Sequence, residues 1–325
     1  MSKLRIFLDL PVTPDLLEML REGTQGHELL FADAPAASVL ASPEPDPQIA
    51  TADIAFGQPC VRAIEKAPLL KWVQVSSSGI TRYDTPTFRA LAAQRELPVT
   101  NSASVYYEAC ATHVLSFILA QARQLPLALR SNPDHKAPLW HSLRGGCPPL
   151  RGQSVLILGY GAIGQRLVEM LRPFDMNIVA YRRRTRGDET VPVIEENQLP
   201  QMLARGFDHL VNILPDSSET RHFFNAARFA SLKPGAIFYN IGRGSTVDQA
   251  ALLEALRSRR IAAAWLDVTD PEPLPNEHPL HAEPNCFITP HIAGGHVDES
   301  KTLVRHFLNN FRRFVQGQSL LDRVM

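Results

Sequence analysis

The sequence is short of three things that would narrow its function at once. Its four cysteines, Cys60, Cys110, Cys147 and Cys286, are scattered through 325 residues and form no CxxC pair. That argues against a disulfide framework and a clustered thiolate metal centre, so no metal is expected. Four free, at least half-buried thiols in a reduced, cytoplasmic setting are expected instead. An excess of one charge is also missing, with 33 basic side chains against 33 acidic ones. A neutral chain lacks the broad basic face that releases counterions from nucleic acid, so no nucleic-acid partner is expected. No apolar run reaches the roughly eighteen residues that a spanning helix needs, so no membrane partner is expected either. No charged start followed by an apolar segment marks a secretory signal.

What is present is an alternation of short apolar strands and helices. "KLRIFLDL", "ADIAFG", "KWVQVSSSG" and "LPVTN" read as strands, with "TPDLLEMLRE" and "CVRAIEKAP" as helices between them. The stretch "ADAPAASVLASPEPDP" is too broken by proline to be one regular element. From Ser104 to Leu125 the pattern predicts one long helix with few charges, suited to a buried connector. A second series follows a Pro- and Gly-rich loop: "SVLIL", "MNIVAY", "HLVNIL", "AIFYNI", "AAAWL" and "CFITP". It closes with an amphipathic helix in "KTLVRHFLNNFRRFVQGQ". Such alternation favours parallel α/β sheets, and the length favours two domains. The expected boundaries are 1–103 with 296–325 for one, the final helix packing back, and 104–295 for the other.

"SVLILGYGAIGQRLVEML" sets Gly159-x-Gly161-x-x-Gly164 between an apolar strand and a helix. The first glycine permits a tight turn and the second lets backbone approach a pyrophosphate. The third lets helix and strand pack closely, and the helix N-terminus, at Ala162 and Ile163, faces the phosphate charge. A tight structural turn is the alternative; the strand before and helix after favour a dinucleotide site. In such units the next strand ends about 20 residues on, at an Asp or Glu that bonds the ribose 2′-hydroxyl. Here "AYRRRTRG" supplies Arg182, Arg183 and Arg184, and the first acid is Asp188. A carboxylate repels a 2′-phosphate, whereas guanidinium groups grip it with paired charge-assisted bonds. The run therefore predicts NADP as the preferred cofactor, with NAD as the second, and Arg182 as the first phosphate ligand. A solvated basic loop is the competing reading.

Three later strand ends carry the residue types that a hydride transfer needs: Arg243 in "FYNIGRGS", Asp267 and Glu272 in "WLDVTDPEP", and His291 in "FITPHIAGG". Ligands of open α/β sheets bind outside the carboxyl ends of the strands, so these side chains are expected to converge. Singly, each reads as a salt-bridge partner, a loop charge or a satisfied histidine.

"LILGYGAIGQ", "SLKPGAIFYNIGRGSTVDQAALLEAL" and "AWLDVTDPEPLPNEHPLHAEPNCFITPHIAG" together resemble the D-isomer-specific 2-hydroxyacid dehydrogenase family. The likeness covers most of the chain and is strongest over 150–295. "LDVTDPEPLPNEHPL" is similar to the glyoxylate/hydroxypyruvate reductase branch, which often uses NADPH. The resemblance implies two doubly wound parallel-sheet α/β domains joined by long helices, a Rossmann cofactor domain and a flavodoxin-like substrate domain, in a homodimer. The substrates implied are small 2-keto and 2-hydroxy acids.

Residue by residue, the resemblance implies that Arg243 binds the substrate carboxylate and polarises the 2-keto group. His291 exchanges a proton with the substrate oxygen, and Glu272 holds the other ring nitrogen, fixing the tautomer. Leu214, Pro215 and Thr220 of "NILPDSSET" flank the nicotinamide ribose, and Ile241, Gly242 and Gly294 line the cofactor. Asp267 contacts the carboxamide. Ser77, Ser78 and Gly79 of "SSSGI" hold the substrate carboxylate through backbone amides.

Three departures stand out. Ser76 to Ser78 replace glycine-rich sequence in the substrate loop and leave the substrate open. Thr112, before His113, takes a position commonly held by Glu. The acid is absent at Arg182. Trp140 is read as a packing residue. Two other functions stay on the table: a nucleotide-sensing corepressor-like regulator on the same fold, disfavoured because little chain lies outside the two domains, and a phosphite- or formate-type dehydrogenase.

Overall fold

The computed structural model describes residues 3–37, 43–131, 138–187 and 189–325. Asp188 and part of the proline-broken stretch, 38–42, lie outside the described residues. The chain divides into two compact units, Met1–Tyr106 with His296–Met325, and Tyr107–Gly295.

The first unit is built on strands β1 (Arg5–Asp9), β2 (Glu28–Phe31), β3 (Ile54–Gly57), β4 (Trp72–Val75) and β5 (Val99–Thr100). They run parallel in the order β2-β1-β3-β4-β5. β3 and β4 are buried at every residue, the signature of a parallel sheet covered on both faces. The last helix, Glu299–Val315, belongs to this unit. Its Phe307 stacks on Phe56 at 4.4 Å and on Trp72 at 5.4 Å. The Leu308 side chain packs directly on Gly23 and would have to shift for a side chain at that position.

The second unit holds β6 (Ser154–Leu158), β7 (Asn177–Tyr181), β8 (Val193–Ile194), β9 (His209–Asn212), β10 (Ala236–Asn240), β11 (Ile261–Leu266) and β12 (Cys286–Ile288). All pair in parallel, in the order β12-β11-β10-β9-β6-β7-β8. Along β6, Leu156 and Leu158 enter one hydrophobic core while Val155 and Ile157 enter the other. That is the period-two alternation of a strand between two helical layers. The chain leaves β6 for β7 on one side and later returns to β9 on the other. A crevice therefore opens at the carboxyl ends of β6 and β9, where ligands of such sheets bind.

Two local features depart from the sequence expectation. The helix predicted to reach Leu125 ends at Ala122, and a second helix, Leu125–Arg130, follows. Pro126 has no amide to continue the ladder, and Gln124 turns the chain at φ 49°. Strands β2 and β8 also form, in segments for which no strand was predicted. β2 sits at the sheet edge, with half-buried or exposed residues only. Among the described residues no helix is long and apolar enough to cross a membrane.

Candidate active site

The glycine turn opens at the carboxyl end of β6, and its three glycines meet three different demands. Gly159 takes φ 111°, and a side chain there would meet the Ile213 carbonyl oxygen at 2.9 Å. Gly164 lies so close to the Gly159 carbonyl oxygen that a Cβ would sit 2.4 Å from it. Gly161 is the opposite case. It caps the helix Ala162–Leu171, is exposed, and a Cβ built on it would meet nothing within 4 Å. Two glycines are thus required by the fold, and the third keeps open a space in front of a helix N-terminus. A dinucleotide pyrophosphate has the charge and size for that space, so these residues fit such a cofactor. Ala162 is exposed and Ile163 half-buried at the same helix start.

The arginine run follows β7 directly, and the amides of Gly159 and Tyr160 both donate to the Tyr181 carbonyl at 3.1 and 3.2 Å. Arg182 is only 12% exposed and pairs with Glu189 at 2.9 Å. Its guanidinium also lies over the Tyr160 ring, 5.9 Å from the centroid. Arg183 reaches out to Glu219 at 2.7 Å in a pair open to solvent, and Arg184 is exposed. Arg182, expected as the first phosphate ligand, is thus already engaged by a carboxylate of its own chain.

At the carboxyl ends of β9 and β10, Asn212 and Asn240 are register partners and fully buried. Asn212 Nδ2 donates to Asn240 Oδ1 at 3.0 Å and to Thr246 Oγ1 at 2.7 Å. Their side-chain Oδ1 atoms accept from the amides of Leu214 at 3.2 Å and Gly242 at 3.1 Å. Asn240 Nδ2 donates to the Arg243 carbonyl at 3.1 Å. The pair thereby fixes both loops that carry Leu214, Ile241, Gly242 and Arg243. Sequence reasoning passed over these asparagines; the signal was a buried-type strand that ends in a polar amide, twice, on neighbouring strands. Pro215 and Thr220 close the first loop on itself, the Thr220 hydroxyl donating to the Pro215 carbonyl at 2.6 Å.

Arg243 is half-buried, and its Nη1 donates to the neighbouring Gly242 carbonyl at 2.6 Å. Among the described residues it forms no ion pair within 4 Å. Burial lowers its pKa from the ordinary arginine value, and the charges of Glu272 and Asp216 oppose that shift. A desolvated guanidinium without a contacting carboxylate is a receptor for an anion from outside the chain. Cys110, in the electrostatic field of both Arg243 and Asp267, is a neutral thiol; burial pushes its pKa up to about 12.

His291 and Glu272 come together: Nδ1 and Oε1 are 2.5 Å apart, with side chains 22% and 30% exposed. Among the described residues Nε2 takes no hydrogen bond, which leaves it for a reacting group. The histidine backbone stands at φ 52°, a left-handed conformation that costs an ordinary residue about 1 kcal/mol or more. Asp267 holds it there. Its carboxylate, 2% exposed, accepts from the amides of Ile292 at 2.9 Å and Ala293 at 2.8 Å and from the Thr289 hydroxyl at 2.5 Å. Its main-chain oxygen accepts from the His291 amide at 2.9 Å. Asp267 is thus a clamp on the histidine loop, a role that the sequence reading, which gave it to a carboxamide, missed. His113 stands behind it, Nε2 at 3.6 Å from Oδ1 and 3.3 Å from Thr289 Oγ1. Gly294 follows in the turn that ends the unit.

Ser77, Ser78 and Gly79 lie in the other unit, in the loop after β4. Asn101 Nδ2 donates to the Ser78 carbonyl at 2.6 Å, the Ser102 amide to the Ser77 carbonyl at 3.0 Å, and the Ser77 hydroxyl to the Gly79 carbonyl at 2.6 Å. Ser76 is buried and accepts from Gln58 Nε2 at 3.0 Å. The Arg144 guanidinium lies 5.2 Å over the Trp140 ring.

The family model described as D-isomer specific 2-hydroxyacid dehydrogenase, NAD binding domain, matches residues 115–293. The chain is 34% identical over 264 residues to a glyoxylate reductase of Aeropyrum pernix, covering 78% of this chain and 76% of that one. It is 32% identical over 252 residues to the human glyoxylate reductase/hydroxypyruvate reductase, 77% and 76% of the two chains. Among solved structures, an NADPH-dependent glyoxylate/hydroxypyruvate reductase of Sinorhizobium meliloti, in complex with NADP and malonate, superposes with a TM-score of 0.74 at 28% identity. The match covers 99% of this chain and 97% of that one.

Proposed function

Because the chain belongs to the D-isomer specific 2-hydroxyacid dehydrogenase family, a nicotinamide-dependent enzyme family, we propose that it reduces small 2-keto acids of the glyoxylate and hydroxypyruvate type to D-2-hydroxy acids, preferring NADPH. The observation that carries this reading is the pairing of a half-buried guanidinium, Arg243, with the Glu272–His291 dyad at the carboxyl ends of one sheet. The nicotinamide, when bound, supplies the hydride. Arg243 holds the substrate carboxylate and draws electron density from the 2-keto oxygen. His291 presents Nε2 to that oxygen and gives it a proton, while Glu272 on Nδ1 fixes which ring nitrogen faces the substrate. Gly159, Gly161 and Gly164 shape the pyrophosphate seat, and Leu214, Pro215 and Thr220 with Ile241 and Gly242 flank the nicotinamide half.

In this assignment 107–295 is the cofactor domain and the remainder the substrate domain. The arginine run, in place of an acid, supports NADP over NAD. The NADP-bound relative at 28% identity supports it further. The protein is proposed to be a cytoplasmic homodimer, the assembly that the family resemblance implies.

The test is oxidation of NADPH and of NADH with glyoxylate, hydroxypyruvate, pyruvate and bulkier 2-keto acids. Turnover of at least one small 2-keto acid, with the higher kcat/KM for NADPH, is expected. Absence of turnover throughout the panel would remove the enzyme assignment, and a clear advantage of NADH would remove the cofactor preference.

A further inference from the structure

β7 ends without the acid that would bond a ribose 2′-hydroxyl, yet the structure brings a carboxylate to the same place from further along the chain. Glu189, seven residues after Arg182, folds back against the loop. Its Oε1 accepts from Arg182 Nη1 at 2.9 Å and from the Arg186 amide at 2.7 Å, and its Oε2 from the Gly187 amide at 2.8 Å. The Glu189 side chain is 9% exposed. This cluster abuts the glycine turn: Arg182 covers the Tyr160 ring, and the Tyr160 hydroxyl lies 3.1 Å from Thr190 Oγ1, next to Glu189.

A guanidinium and two loop amides converging on one point are the donors that bind a phosphate oxygen. In this chain they bind its own carboxylate. The Arg186 amide first, with Arg182 and the Gly187 amide, holds the Glu189 pKa below the ordinary carboxylate range, so the group is an anion at neutral pH.

We propose that Glu189 is the specificity-determining residue of the cofactor's adenosine end, an internal anion that competes with a 2′-phosphate for Arg182 and the Arg186 and Gly187 amides. A cofactor carrying that phosphate must displace the carboxylate. A cofactor with a free 2′-hydroxyl meets an acceptor already in position. Glu189 therefore holds the NADP preference below the value that the arginines alone would set. The proposal rests on the reading of this loop as the ribose end of the nicotinamide cofactor site.

Calorimetric titration of 2′,5′-ADP and of 5′-ADP into the wild-type protein, Glu189→Gln, Glu189→Ala and the control Glu195→Gln tests it. These fragments read the site without any turnover. The ratio of the 5′-ADP to the 2′,5′-ADP dissociation constant is expected to rise about tenfold in both Glu189 variants, on the scale of one charge-assisted contact. The NADPH to NADH ratio of kcat/KM should shift by the same factor. Glu195, which accepts from Thr185 in the same loop, should leave the ratio unmoved when neutralised. Thermal melting of each variant checks the fold. An unchanged ratio in both Glu189 variants, or an equal change with Glu195→Gln, overturns the inference. Failure of the wild type to bind either fragment would instead strike the cofactor reading beneath it.

Discussion

A histidine held at φ 52° needs a structural cause, and Asp267 provides it. The carboxylate is the only group type that can accept from two neighbouring amides and a hydroxyl at once without adding a donor of its own. In Asp267→Asn the amide nitrogen must face at least one of those donors. The unmet contact costs about 1–3 kcal/mol, and the variant should melt lower and lose kcat together. A variant that keeps its melting temperature and its kcat would show that the clamp is dispensable. His291→Gln tests a different link. The chain retains its loop, but proton exchange is lost, so kcat should fall by about 10²- to 10⁴-fold while the dissociation constant for 5′-ADP stays within about twofold. The two substitutions separate positioning from chemistry: only the first should alter thermal stability.

At the scale of the element, the turn after β6 makes a sharper prediction than its motif alone. Gly164→Ala drives a methyl group into the Gly159 carbonyl oxygen, so helix and strand must part, and stability should fall by more than about 1 kcal/mol. For a unit of this size that is a drop in melting temperature of about 2–4 °C or more. Gly161→Ser fills only open space and installs a favoured N-cap, so its melting temperature should hold or rise slightly. Its affinity for 5′-ADP should nevertheless fall at least about tenfold, because the side chain stands where the pyrophosphate must come. Equal stability losses in both variants would contradict this division.

The sequence made these glycines, the strands around them and the Arg243, Glu272 and His291 set legible, since each lies at a fixed offset from a strand end. It hid what folding brings together away from those offsets. Glu189 returns to a position that its sequence offset conceals, and the Asn212–Asn240 bridge joins residues 28 apart that become neighbours only in the sheet. The missed break at Arg123–Gln124 was local, and Pro126 was its readable sign.

At the scale of the molecule, two units with two buried sheets make pH a probe of which sheet yields first. His209 lies inside the second sheet, 1% exposed, with Nδ1 3.0 Å from the Tyr239 hydroxyl and Nε2 2.6 Å from Gln153 Oε1. Burial lowers its pKa from 6.5 to about 4, with the nearby Asp208 opposing the shift. The folded state therefore keeps the ring neutral where the unfolded chain would protonate it. Between pH 6.5 and about 4 the unfolded state binds more protons, so stability is fully present above the unfolded pKa and is lost as the pH falls through that window. The loss amounts to about 3 kcal/mol at its acid end. Other carboxylates also titrate on acidification, so the melting temperature of the wild type alone would mix their contributions. Comparing it with His209→Gln removes them: both proteins share every other group, and glutamine binds no proton. The stability advantage of wild type over variant should shrink as the pH is lowered from 7 to 4.5. A difference that stays constant across that range would mean that His209 is not held neutral by its burial in the sheet.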